Sequence, residues 1–298
     1  MILFVWSDFA QQVTSGLAAG AIYASLALAL VLIYQATNVV NFAQGEMATF
    51  TTFVAWMFMD RGVPYWPAFL LTLVFAFAGG VAVERVLIRP IEHRPEIVLV
   101  IMTIGLLITL NGLTGWIWGP EVKAFDSPFP NRTVEVGDVA ISIRDIGTFC
   151  VCLGVVALLW LFFRFTTLGL AMRAVAFNPG ASRLMGVRVG WMLALGWGFA
   201  AVLGAIAGMM AAPTVFLDPD MMIVVLIYAF AAAVLGGIDS PVGAVVGGLL
   251  LGVMINLLGA YVDFVGNELR LPTALAVLLL VLVIRPTGLF GRKVVRRV

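Results

Sequence analysis

The acid at Glu46 is the residue in this sequence whose surroundings most invite a chemical role. It closes a stretch from Phe9 to Gly45 that carries no charged side chain. An ionisable group within such an apolar run is costly to bury, and its default reading is functional. Asn38, Asn41 and Gln44 precede it, so four polar groups could line a path for a small polar solute. The alternative is that Glu46 sits near the inner membrane boundary and stabilises a helix N-terminus, an effect worth about 0.3–1 kcal/mol. Asn111 and Asn256 stand alone in other apolar runs. Each is a second-rank pathway candidate or an interhelical hydrogen-bonding residue worth around 0.6 kcal/mol.

Enzymatic chemistry finds little to work with. His93, the only histidine, lies between Arg89 and Arg94 and reads as a solvated loop residue. Cys150 and Cys152 are neighbours on a predicted helix, point in different directions and read as packing residues. Neither a His-Glu-x-x-His pattern nor a Gly-x-x-x-x-Gly-Lys-Ser/Thr phosphate loop occurs, so neither zinc-dependent hydrolysis nor nucleotide hydrolysis is expected of this chain. No metal site is expected.

The elements that position these residues follow from composition. The 298 residues are 62% hydrophobic and 11% charged, with a mean hydropathy of +1.10, against about 45–50% apolar and about 25% charged in soluble domains. A net charge of +1 gives no field that would draw nucleic acid. Charge-free runs cover 9–45, 62–83, 97–120, 146–163, 189–217, 221–238, 240–262 and 271–284. Most match the roughly 20 apolar residues that a helix needs to cross the hydrocarbon core. Continuous runs also exclude a β-barrel, whose strands alternate over about 10 residues. The expected fold is an all-α integral membrane protein with eight full transmembrane helices in contact with lipid, plus one short or re-entrant helix over 42–59. The N-terminus has no basic n-region, so the first span is expected to stay in place.

Basic residues gather at Arg85, Arg89 and Arg94; at Arg164, Arg173, Arg183 and Arg188; and at Arg285, Arg292, Lys293, Arg296 and Arg297. The positive-inside rule places these segments, and with them the C-terminus, in the cytoplasm. The acidic connections face outward: Glu121, Asp126, Glu135, Asp138 and Asp145, then Asp218 and Asp220, then Asp263 and Glu268. The outer loop, 119–145, holds an alternation from Val134 to Ile141 that suggests a small hairpin or a surface-lying segment. Asp218-Pro219-Asp220 reads either as a solvated turn or as a place to receive basic groups of a docking protein. The N-terminus is outside if 42–59 crosses and inside if it re-enters.

A second interruption falls at Gly236-Gly237-Ile238-Asp239-Ser240-Pro241, where Asp239 could cap the following helix. Together with the break around 38–46 it hints at a weak internal duplication, because paired broken helices mark duplicated transporter folds. On the inner face, 165–190 is too polar to span. One short helix fits Leu170 to Phe177. A second fits from Pro179 to Gly186, capped by Asn178.

Several of these segments resemble the permease subunits of branched-chain amino-acid ABC importers. The similarity is carried by Gly169-Leu170-Ala171-Met172-Arg173-Ala174 with Asn178-Pro179 and Ala181; by 16–24 and Asn41-Phe42-Ala43-Gln44-Gly45-Glu46; and by 234–244. Asp239 departs from the small residue usual there. The resemblance implies one transmembrane permease domain over 1–298 in a bacterial inner membrane, coupled to its motor through Gly169, Leu170, Arg173, Ala174, Asn178, Pro179, Ala181 and Gly186. It implies a second permease subunit, alike or different, two cytoplasmic ATPases that bind ATP and Mg, and a periplasmic binding protein. The substrate would be a branched-chain or related amino acid, with urea or short amides as the variant. An ion-driven secondary transporter or a channel is the alternative in another class.

Overall fold

The computed structural model describes residues 6–137, 139–262, 264–266 and 268–291. Asp138, Asp263 and the terminal cluster of Arg292, Lys293, Arg296 and Arg297, which enter the charge reading above, lie outside the described residues. The apolar runs fold as helices, several of which begin or end at proline, glycine or a capping side chain. In order these are α1 (Trp6–Thr37), α2 (Gln44–Asp60), α3 (Tyr65–Val83), α4 (Glu96–Trp118), α5 (Ile143–Phe165), α6 (Thr167–Phe177), α7 (Pro179–Leu184), α8 (Val189–Val215), α9 (Met222–Gly236), α10 (Pro241–Tyr261) and α11 (Arg270–Ile284). Pro64 and Pro95 precede α3 and α4, and Gly119, at φ 81°, follows α4. A π-helical turn, Glu84–Ile88, and a 3-10 turn, Arg89–Ile91, extend α3.

Among the described residues six helices are long and apolar enough to cross a membrane: Trp6–Thr37, Tyr65–Ile91, Glu96–Trp118, Ile143–Phe165, Val189–Val215 and Pro241–Tyr261. The expectation of eight full spans is not met by length. α9 and α11 are 15 residues each, or about 22 Å at about 1.5 Å per residue, short of the roughly 30 Å hydrocarbon core. The uncharged run 221–238 had counted turn residues as helix. Large apolar side chains such as Leu70, Val74, Ile101, Ile108, Leu158 and Leu279 are exposed, the inversion expected where lipid rather than water surrounds a helix. A hairpin, β1 (Thr133–Val136) with β2 (Val139–Ser142), breaks the all-helical pattern. Its antiparallel register pairs Thr133 with Ser142, and Gly137 turns it at φ 65°.

The helices gather into two compact units. The first comprises the described parts of Met1–Val31, Ser127–Cys152 and Val224–Val298. Within it α1 and α10 run antiparallel in close contact through glycines. Gly16 lies against Val253, and Gly20 against Gly248 and Leu249, so closely that a methyl group at either would meet backbone. Close approach of this kind is how helices associate where the hydrophobic effect offers no drive.

The second unit comprises Leu32–Asp126 and Leu153–Ile223, with the largely buried α8 at its centre. Contacts rise together along α2 and α8: the Gln44 amide reaches the Ala200 carbonyl, while Gly204 faces Gln44 and Ala48 and Gly208 faces Thr52. The two helices are therefore parallel. α2 starts level with Ala200, about 16 Å beyond the start of α8 by helical rise, so it covers only the half of α8 that leads to Leu217. The antiparallel bridge between Lys123 and Leu217 closes that end. α3 returns antiparallel, with Phe77 on Gly198 and Gly80 on Trp197.

Candidate functional site

The first break begins where α1 stops at Thr37. Asn38 adopts a left-handed φ of 56° and is exposed, a conformation that asparagine tolerates better than most residues. Asn41 is fully buried. Its Oδ1 accepts from the Ala43 amide at 3.1 Å, and its Nδ2 donates to Gln44 Oε1 at 3.1 Å. Gln44 Nε2 donates in turn to the Ala200 carbonyl at 2.9 Å. Gly204 leaves the space for this, since a Cβ there would lie 2.7 Å from Gln44 Nε2. Asn41 and Gln44 thus direct these donors into the protein and fasten the break to α8. Asn38 alone of the three faces outward.

Glu46 lies in the first turn of α2 and is 2% exposed. Its Oε2 is 3.5 Å from Asn111 Nδ2, which donates to Asp220 Oδ1 at 2.8 Å and to the Pro219 carbonyl at 3.3 Å. One amide from α4 therefore stands between two carboxylates that are far apart in sequence. The contact sets Glu46 beside the 218–220 turn that follows α8. Its place at a helix N-terminus is retained. Asn256, in the first unit, donates to the Gln12 carbonyl at 2.7 Å and to Gln12 Oε1 at 3.0 Å, tying α10 to α1. Asn111 and Asn256 belong to different units.

The polar segment after α5 forms two short helices. α6 begins earlier than Leu170: Thr166 caps it, its Oγ1 accepting from the Gly169 amide at 2.9 Å. Thr166-x-x-Gly169 was the signal available and unread. Gly169 sits on the backbone of Phe162 and Phe163, where a Cβ would collide. The expected cap on α7 is present, with Asn178 Oδ1 accepting from the Ala181 amide at 2.9 Å and Pro179 at the first helical position. Gly186 ends the segment at φ 82°. Met172 and Val175 are buried, whereas Leu170, Arg173, Ala174 and Ala181 are exposed. Phe177, Leu184 and Met185 are exposed at 84%, 90% and 84%.

The second break has Gly237 at φ 106° between α9 and α10. Its helix cap is Ser240 rather than Asp239: Ser240 Oγ accepts from the Gly243 amide at 3.0 Å, with Pro241 beginning α10. Gly236 and Gly243 approach backbone to backbone. The chain beyond α11 fills the gap, as the Leu289 and Phe290 amides donate to the Leu235 and Gly236 carbonyls, each at 2.9 Å.

Sequence reasoning missed a clamp at the start of α8. Glu84 is 1% exposed and receives Arg89 Nε at 3.2 Å and Nη2 at 2.9 Å, while Nη2 also donates to the Gly190 carbonyl at 2.6 Å. Arg85 lies over the Trp191 ring at 3.8 Å. The π-helical turn sets this geometry, and nothing in Glu84-Arg85-Val86-Leu87-Ile88-Arg89 taken as sequence announces a π turn. Beside the clamp is a cavity of about 300 Å³, lined among others by Asn38, Glu84, Glu92, Arg183 and Trp197.

Among the described residues no group of histidine, cysteine, aspartate and glutamate is disposed to hold a metal ion. The geometry describes fastened helix breaks, a polar bridge and an exposed helical pair.

Residues 12–285 match the family described as branched-chain amino acid transport system, permease component. The chain is 32% identical to the high-affinity branched-chain amino acid transport system permease protein BraD of Pseudomonas aeruginosa, over 97% of this chain and 98% of that protein. It is 30% identical to the corresponding LivH protein of Escherichia coli K12 over the same shares. Among solved structures, PsaBC from Streptococcus pneumoniae in complex with Fab matches with a TM-score of 0.51 at 14% identity, covering 93% of this chain and 92% of that one, a likeness of fold.

Proposed function

The chain belongs to the branched-chain amino acid transport permease family and is a multi-pass membrane transport subunit, and from this premise we propose that it provides the translocation pathway of an ABC importer for branched-chain or related amino acids. ATP and Mg bind to two cytoplasmic ATPase partners, a second permease subunit completes the pathway, and a periplasmic protein delivers the substrate. The observation that carries the coupling role is the α6–α7 pair: two capped helices, buried on Met172 and Val175, that present Phe177, Leu184 and Met185 with Arg173 on an exposed face. Such a face suits docking of a soluble partner.

The domain is single over 1–298, with 119–145 outside and 165–190 as the coupling segment. In an inner membrane the Arg-rich ends face the cytoplasm, as does the C-terminus. α9 and α11 complete eight crossings despite their length, since the bilayer can thin locally around short helices. α2 returns from mid-depth, and the N-terminus is outside. The breaks at 38–43 and 237–240 are the counterpart features of a weak duplication. Asn38, which is exposed, and the Glu46–Asn111–Asp220 bridge, which joins polar groups of separate segments, are the leading pathway candidates, ahead of Asn41, Gln44 and Asn256, whose bonds fasten one helix to the next.

The test is reconstitution in proteoliposomes. The chain with its partner permease, ATPases and binding protein should accumulate leucine, isoleucine or valine only when ATP is supplied. Ion-driven uptake by the isolated chain would overturn the reading, and uptake of urea or short amides in place of amino acids would revise its substrate.

A further inference from the structure

We infer that the cavity at the α1-terminal end of the second unit is a binding site for a neutral aliphatic α-amino acid in its zwitterionic form, an inference that rests on the transport reading above. The cavity, about 300 Å³, lies between the end of α1, the π turn after α3, the α6–α7 pair and the first turns of α8. Small-molecule sites begin at about this size.

Charge selects the ligand. Arg183 Nη2 stands 3.7 Å from Glu92 Oε1, too far for a good hydrogen bond, and the same oxygen lies 3.3 Å from His93 Nε2, so the guanidinium and the second carboxylate oxygen, Oε2, keep capacity for a guest. They form a dipole at the cavity wall, with the Glu92 carboxylate to receive an ammonium group and the Arg183 guanidinium to receive a carboxylate. A zwitterion lies antiparallel to such a pair and closes a ring of alternating charge. Glu84, also on the lining, is already neutralised by Arg89 at 2.9 Å. The Glu92 carboxylate and the Arg183 guanidinium balance one another, which favours a zwitterion over an amine or an acid of similar size.

The remaining surface suits an aliphatic side chain. Ile88, Leu99, Val189 and Leu193 line the cavity with the Trp197 ring. Trp197 is 1% exposed, and its indole N–H has no hydrogen-bond partner among the described residues. A buried donor left without an acceptor is costly, and a carboxylate oxygen of the ligand would supply one once the ring gives it access, since the N–H is not open to the cavity in this structure. The occupant touches Pro179, Gly180 and Arg183 of the coupling segment together with Thr37 and Asn38 at the break, so it bridges the motor-facing helices to the first interruption.

The experiment uses the assembled complex of both permeases and both ATPases in nanodiscs, without binding protein, and equilibrium binding of radiolabelled L-leucine. Leucine should bind, whereas L-leucinol and 4-methylpentanoate, which lack the carboxylate and the amine, should compete about tenfold less well or worse, as for loss of a charge-assisted hydrogen bond. Glu92→Gln should weaken leucine about tenfold, and Trp197→Phe, which keeps the ring and removes the N–H, should weaken it about threefold or more. Absence of leucine binding, or binding unchanged in both variants, overturns the site. ATP-driven uptake measured in parallel separates the two claims. Uptake without this binding sinks the cavity and leaves the transport role standing, whereas no uptake of any branched-chain amino acid by the complete system sinks the transport role.

Discussion

At the scale of single residues, burial decided what a polar side chain means. Asn38, Asn41, Gln44 and Glu46 were readable as a cluster because they interrupt a charge-free run, but their division of labour was not. Asn41 and Gln44 are fully buried and bonded to each other and to α8, which depends on Gly204 some 160 residues later leaving room. Gln44→Leu should therefore destabilise the protein by about 1–3 kcal/mol, the cost of orphaning a buried partner. Adding Asn41→Leu should cost less than the sum of the two single changes, because the second removes the group that the first left unpaired. Denaturant unfolding in detergent, followed by tryptophan fluorescence, measures both. Strict additivity would mean that the two amides act independently. The Trp197 N–H and the Glu84–Arg89–Gly190 clamp were beyond sequence, since each is defined by what stands opposite.

At the scale of elements, what was written locally could be read and what was written across the chain could not. α7 was readable from Asn178, Pro179 and Gly186 because a cap, a proline start and a glycine stop need only their neighbours. The Ser240 cap was equally local and was assigned one residue early. Asn178→Ala should cost about 1 kcal/mol locally, and it should lower the ratio of substrate moved to ATP hydrolysed while the chain still inserts. Arg173→Glu and Ala174→Glu change the exposed face of α6 without touching Met172 or Val175. Both should reduce ATPase co-purification with unaltered membrane yield, and full retention of ATPase and transport in both would remove α6 from the docking surface. The starting depth of α2 was unreadable, because Gln44, Ala48 and Thr52 find their level only against Ala200, Gly204 and Gly208. The filling of the second break by Leu289 and Phe290 is non-local in the same way.

At the scale of the whole molecule, the lipid-soluble character and most helices followed from composition, whereas the number of full spans did not, because an uncharged run does not reveal where its helix ends. The course of α2 bears on orientation. Since α2 is parallel to α8 and starts halfway along it, the chain enters 38–43 near the α8 start and leaves 61–64 near Leu217, which sets α1 running toward the Arg-rich end. By the positive-inside rule, the proposed orientation expects the N-terminus, the 119–145 loop and the 218–220 turn outside, and 84–95 and α6–α7 inside. Single cysteines test it in a background lacking Cys150 and Cys152, of which Cys152 is buried and Cys150 is exposed on the apolar α5. In intact spheroplasts a membrane-impermeant maleimide should label Ser7→Cys and Glu135→Cys at once, and His93→Cys and Leu184→Cys only after permeabilisation. Labelling of Ser7→Cys solely after permeabilisation, with the other three as stated, would mean that α1 runs outward. That result cannot coexist with a parallel α2 and α8, so it would overturn the packing described for the second unit as well as the orientation.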